Sequence, residues 1–226
     1  VRPVRLAPLV LSIPLACATA NGDTEADTAS SQTTADTSTR TAPPAGDPGA
    51  SIGVFDLTYY WVSHEADFDP PASTTIGTCA GQRIATVPAG FARALKLEGS
   101  GKLLDDRVVN IGGCGCGDGY DCFAVLDPAR FVWGQGSRGN ALVPYLSIAT
   151  DTSVLPFGTS VYAPGLDGVA LPDGRTHDGC LRAADVGGGI EGTHVDWFVG
   201  LKGNYRQLDA NVPERVELLE GGTRCP

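Results

Sequence analysis

Methionine is missing from all 226 residues, position 1 included, and histidine and tryptophan occur only three times each. Basic residues are scarce: 16 Lys and Arg stand against 26 Asp and Glu, a net charge of −10. Nucleic-acid phosphates attract Lys and Arg, so a nucleic-acid partner is excluded. Only 19% of residues are charged, while 30 glycines and 16 prolines interrupt the chain. Each of those weakens a helix interior, which excludes coiled coils and long helices. His64, His177 and His194 share no metal-ligand spacing, and no dense oxygen-ligand loop of the calcium type occurs. The expectation is no metal and no cofactor.

What is present changes sharply along the chain. Arg2 and Arg5 precede an apolar run from Leu6 to Ala16 that ends at Cys17. The run is too short for a bilayer, which needs roughly 20 apolar residues, and matches a secretory signal. Leu15-Ala16-Cys17-Ala18 resembles a bacterial lipobox, with Pro14 where Leu is usual, so Cys17 is the expected lipidation site. The competing reading is cleavage after Ala18-Thr19-Ala20, with Cys17 discarded. Residues 21–50 hold Thr, Ser and acids but no aromatic or large aliphatic side chain. Such a segment cannot bury enough apolar surface to offset its ordering entropy, and it reads as a tether. The expected organisation is a signal over 1–20, a tether over 21–50 and one domain over 51–226. Together these features describe an exported envelope lipoprotein, monomeric and held near a membrane.

Setting Cys17 aside leaves Cys79, Cys114, Cys116, Cys122, Cys180 and Cys225. An even number behind a secretory signal implies disulfides, with the connectivity open. Cys114-Gly115-Cys116 and Cys122 lack the paired spacing of common zinc sites.

Beyond residue 50, a helical period is sustained only over Ala89–Leu95 and briefly over Asp127–Phe131. The rest is short β-prone runs bounded by Gly, Pro, Asn and Asp: 54–62, 142–149, 160–163, 180–184 and 194–199. That pattern predicts an all-β sandwich or barrel with minor α content. In the last run, Val195, Trp197 and Val199 share one face, and His194, Asp196 and Phe198 the other.

Candidate chemistry concentrates between residues 147 and 200. Asp185 ends one apolar run and Asp196 lies in the next, joined through Gly187, Gly188 and Gly189, which permit close approach of a backbone or ligand. Upstream, Asp151 follows Ser147-Ile148-Ala149-Thr150 and precedes Leu155-Pro156-Phe157-Gly158-Thr159. A lone Asp in a glycine turn is ordinarily a turn former; three at these spacings are not isolated.

These motifs resemble the three-Asp (3D) domain shared by membrane-bound lytic transglycosylases and stationary-phase muralytic proteins. The resemblance covers about residues 145–200, and Thr58-Tyr59-Tyr60 matches the family's opening strand. It implies a six-stranded double-psi β-barrel, here with disulfide-bonded loops, and peptidoglycan glycan strands as partner. It also implies Asp196, Asp185 and Asp151 as the catalytic acids, with Asp196 as general acid and base. The glycine backbone at 187–189, with Tyr59, Tyr60 and His194, would then bind substrate. One departure is Glu191, which stands where the family commonly has Lys. Two rivals keep the same fold: a glycan-binding module without turnover, and a two-acid hydrolase.

Overall fold

The computed structural model describes residues 46–226. The signal segment with Cys17, and the tether up to residue 45, lie outside the described residues. Residues 46–50, read above as the end of the tether, are instead pinned to the C-terminal end of the chain. Gly49 N–H donates to the Glu220 carbonyl at 2.8 Å, and Asp47 N–H to Thr223 Oγ1 at 3.0 Å.

The first strand is β1 (Ser51–Tyr60). After it the chain forms β2 (Ser63–His64), a 3-10 turn (Glu65–Asp67), β3 (Ala72–Thr78), β4 (Arg83–Pro88), α1 (Ala89–Glu98), β5 (Ser100–Lys102), β6 (Val108–Ile111) and β7 (Asp121–Val125). An irregular connector leads to β8 (Ser147–Thr150), β9 (Ser160–Tyr162), β10 (Cys180–Asp185), β11 (His194–Phe198), α2 (Lys202–Leu208) and β12 (Arg215–Glu220). The described residues are mostly β with two helices, as the composition implied.

The strands sort into two sheets. One runs β1-β11-β8-β10-β9-β12 and closes where β12 pairs back onto β1. The other runs β2-β5-β6-β7-β3-β4. Residues 63–125, read as part of a single barrel, therefore form a separate sheet inserted between β1 and β8. Its strands are short and half polar, so nothing local tells which sheet they will join. That choice is made by pairing partners distant in sequence.

Burial follows strand alternation. In β1, Phe55 and Leu57 turn inward while Asp56 and Thr58 turn outward. In β11, Val195 and Trp197 are fully buried and, with Val199, belong to the barrel core. Phe198, on the other face, packs outside that core with Val62 and Leu142. The inserted sheet has its own core around Phe91, Leu95, Val109 and Phe123, covered by α1. Gly99, in the left-handed conformation, stops α1 and donates to the Leu95 carbonyl, a common helix ending.

All six downstream cysteines pair: Cys79–Cys114, Cys116–Cys122 and Cys180–Cys225. The first two clasp loops of the inserted sheet, and the third ties the start of β10 to the chain end. Asp127–Phe131 makes a single turn rather than a helix. The expected strand over 142–149 begins only at Ser147, because Pro144 offers no N–H and Tyr145 has φ 68°.

Candidate active site

Strand pairing sets the geometry of the acids. Ala149 of β8 is in register with Asp185 of β10 on one side and Asp196 of β11 on the other. Strands lie about 4.8 Å apart, so the two acids are anchored roughly 10 Å apart with a methyl group between them. On the far side of β11, parallel pairing places Thr58 opposite Asp196 and Tyr60 opposite Phe198. Because side chains alternate, Thr58 and Tyr60 share the face that carries Asp196.

The hydroxyls on that face make specific contacts. Thr58 Oγ1 donates to Asp196 Oδ1 at 2.8 Å and lies 2.8 Å from His194 Nε2. A hydroxyl has one proton, so His194 Nε2–H must be the donor to Thr58. His194, Thr58 and Asp196 thus form one directed chain. Burial pushes the Asp196 carboxyl up from its ordinary value, opposed by the Thr58 hydrogen bond and the His194 charge; Glu98 and then Asp185 push it further up. Tyr60 Oη donates to Asp185 Oδ2 at 3.3 Å. Burial and the charges of Asp185 and Asp196 hold the Tyr60 phenol well above its usual range, so it remains a donor. Asp185 Oδ1 accepts from the Ser137 and Val186 N–H groups, each at 2.9 Å.

Asp185, Asp196, Tyr60 and Ala149 line a cavity of about 550 Å³. Gly187 and Gly188 lie on its rim, and Gln135 and Ser137 of the connector form one side. The inserted sheet supplies the opposite wall through Glu98, Ser100, Asn110 and Ile111. A Cβ placed on Gly188 would meet no atom within 4 Å, which leaves its backbone open to a ligand.

Four expected site residues lie outside the cavity wall, among them His194, which is joined to it through Thr58 and Asp196. Asp151 is not in the cavity wall. Its Oδ1 accepts from Ser153 N–H at 2.9 Å and Ser153 Oγ at 2.7 Å, and its Oδ2 from Gly192 N–H at 2.9 Å. Those donors, Gly192 first, lower its carboxyl below the ordinary value. Its geometry is that of a clasp on the glycine loop. Tyr59 faces away from Tyr60 and packs on Trp197 and Tyr205, at centroid distances of 6.0 and 5.2 Å. Gly189 also lies outside the wall. By contrast Trp61, stacked on Tyr205, does line the cavity.

Glu98, Ser137 and the Thr58 hydroxyl were not singled out in the sequence. Ala149 was visible only as part of the Ala-Thr-Asp stretch. For Glu98 no local signal existed, since it enters the site from a helix of the other sheet.

Residues 146–209 match the family model of the 3D domain. The chain is similar to the membrane-bound lytic murein transglycosylase A of Escherichia coli K12, with 35% identity over 81 residues. It is likewise similar to the protein of that name from Vibrio cholerae, at 32% over 81 residues. Each match covers 35% of this chain and only 22% of the relative, so the chain spans about a fifth of the length of these curated relatives. Among solved structures, E. coli MltA with bound chitohexaose aligns over 74% of this chain and 71% of its own, at 15% identity and TM-score 0.49. The lytic transglycosylase LtgG of Burkholderia pseudomallei aligns over 74% and 71%, at 18% identity and TM-score 0.44.

Proposed function

We propose that this protein cleaves the glycan strands of peptidoglycan as a lytic transglycosylase, with Asp196 as the single proton-transfer group. One observation carries the reading: Asp196 is partly buried in a glycan-sized cavity, hydrogen-bonded to Thr58, with its carboxyl pushed up by that burial. A carboxyl so placed holds a proton at a higher pH than a solvated one.

In the first step the protonated Asp196 gives its proton to the glycosidic oxygen of a MurNAc–GlcNAc bond as the C1–O bond breaks. Positive charge then spreads over C1 and the ring oxygen. In the second step the C6 hydroxyl of the same sugar attacks C1. Its proton passes to the Asp196 carboxylate, the 1,6-anhydro ring closes, and the acid is regenerated. No water is consumed. Asp185 and Tyr60 line the same cavity and present a carboxylate and a phenol hydroxyl to the sugar. The Gly187–Gly188 backbone offers hydrogen bonds to sugar hydroxyls. Asp151 serves this chemistry indirectly, by holding the glycine loop.

The same reading takes the closed six-stranded sheet as a double-psi barrel. It places the protein in a bacterial envelope as a monomer, anchored through lipid on Cys17. The 3D-domain match and the signal-like leader support that placement.

A second reading, hydrolysis, has one observation in its favour. Glu98 lines the cavity from the opposite sheet, where a second acid would activate water. Mass spectrometry of products from purified peptidoglycan separates the two. Anhydromuropeptides support the transglycosylase, and reducing ends support the hydrolase. Glycan that is bound but left uncut by the native protein would remove both.

A further inference from the structure

The connector over residues 126–146 has a cavity on each side, and the Leu142 side chain lies in both walls. The first is the cavity of the acids. The second, of about 540 Å³, has a mainly apolar surface of Val132, Trp133, Pro144, Tyr145, Pro172 and Leu201. Two valines at its mouth, Val132 and Val143, are 56% and 44% exposed. Solvent-facing valines beside aromatic rings and prolines mark a surface suited to an apolar ligand.

Charge at this cavity is unbalanced. Its charged residues are Arg130, Arg175 and Asp173. Arg175 is neutralised by Asp173 at 2.8 Å. Arg130 has no carboxylate within ion-pair distance among the described residues. It donates to the Gly139 carbonyl at 3.1 Å and lies over the Phe131 ring. In a chain of net charge −10, a guanidinium left without an acid beside an apolar cavity is complementary to a ligand carboxylate. A sugar is a poorer fit, because Asn204 and Asp173 are the only uncharged-amide or carboxylate side chains in this wall, and Asp173 is already paired.

We propose that this cavity binds a short peptide with small apolar side chains and a free C-terminal carboxylate. The carboxylate sits on Arg130, and the methyl groups lie on Val132, Trp133 and Pro144. The inference rests on the glycan reading only for the natural source of the peptide. Peptidoglycan joins peptides to its glycan, and the shared Leu142 wall puts such a peptide beside the glycan cavity.

The test uses the purified chain and two probes, N-acetyl-Ala-D-Ala-D-Ala and its C-terminal amide. Binding is measured by calorimetry and located by amide NMR shifts. The acid is expected to bind about tenfold tighter than the amide, as loss of one charge-assisted hydrogen bond implies. Arg130→Gln should weaken the acid to the level of the amide, and Val132→Asp should weaken both probes. Asp196→Asn should change neither. The proposal is overturned if the native chain binds no probe, if acid and amide bind equally, or if the shifts map to the Asp196 cavity. Cleavage of peptide-free glycan strands is followed in parallel, and Arg130→Gln should retain it. Loss of cleavage by the native chain with peptide binding intact would defeat the glycan reading alone.

Discussion

Thr58 and Asp196 stand opposite each other in the parallel pairing of β1 and β11, and the Thr58 hydroxyl donates to Asp196 Oδ1 at 2.8 Å. They are far apart in sequence, on the first strand and the eleventh. Burial raises the Asp196 carboxyl and the Thr58 bond lowers it, so the protonation of this carboxyl is set by two opposing effects. Removing either should move activity in a known direction.

Thr58→Val deletes the hydrogen bond that favours the ionised form. The Asp196 carboxyl should rise further, and the alkaline limb of the pH profile for anhydro-product release should move to higher pH. His194 loses its acceptor in the same variant. A profile that keeps its alkaline limb in place would separate Thr58 from the acid.

Asp196→Asn should lower turnover by about 10²–10⁴-fold while glycan binding persists. Its effect on stability should have the opposite sign. A carboxyl whose folded pKa lies above the unfolded one contributes stability at low pH and loses it as pH rises through the folded value. At neutral pH the ionised side chain is therefore a burden on the fold, and the amide removes it. Thermal unfolding at pH 7 should show a higher midpoint for the variant than for the native protein.

Asp151→Ala should act on the loop rather than on the chemistry. Release of Gly192 N–H should speed hydrogen exchange at that amide and raise KM, leaving the pH profile in place. Because its donors lower the Asp151 carboxyl, the clasp is present at neutral pH and is lost only as pH falls through that lowered value. A displaced pH profile in Asp151→Ala would instead give it a direct part in proton transfer.

His177 supplies a separate pH dependence, of stability. Its Nε2 donates to the Tyr145 carbonyl at 2.7 Å and its Nδ1 accepts from Gly179 N–H at 2.8 Å. The Trp197 indole also donates to that carbonyl. Both ring nitrogens are thus committed in the neutral form, and burial lowers the His177 pKa from 6.5. The unfolded chain therefore takes up a proton first, and stability should fall as pH drops below about 6.5 toward the folded value. The unfolding midpoint, followed from pH 7.5 to 5, should lose that slope in His177→Gln. The charges of Asp178 and Asp167, and that of Arg175 in the opposite direction, also act on His177.

Much of the barrel was legible because its strands announce themselves. Alternation put Val195 and Trp197 on one face and Asp196 on the other, and β9, β10 and β11 fall on the expected runs. The pairing of six cysteines followed from their number, whereas their connectivity depended on which loops meet. The inserted sheet was not legible. Ser63–His64 and Ser100–Lys102 are too short to carry a period; the first becomes a strand by pairing with the second, which itself pairs with Val108–Ile111. Nor was α2, a helix of seven residues with a glycine inside it. Tyr59 and Tyr60 show the same limit at a single step. Adjacent residues of a strand face opposite ways, and the sequence alone did not say which faces the cavity.

Local chemistry settled the residue types: acids at Asp185 and Asp196, glycines between them, and strands steep enough in hydrophobicity to bury one face. Those properties depend on neighbours along the chain, so the sequence suffices. Tertiary structure decided that Ala149 separates the two acids, that Thr58 reaches Asp196, and that Asp151 clasps a loop. It also decided that Glu98 faces the acids from another sheet. Each of these depends on strand register and on which surfaces meet, and a shift of one residue in register would send every such side chain to the other face.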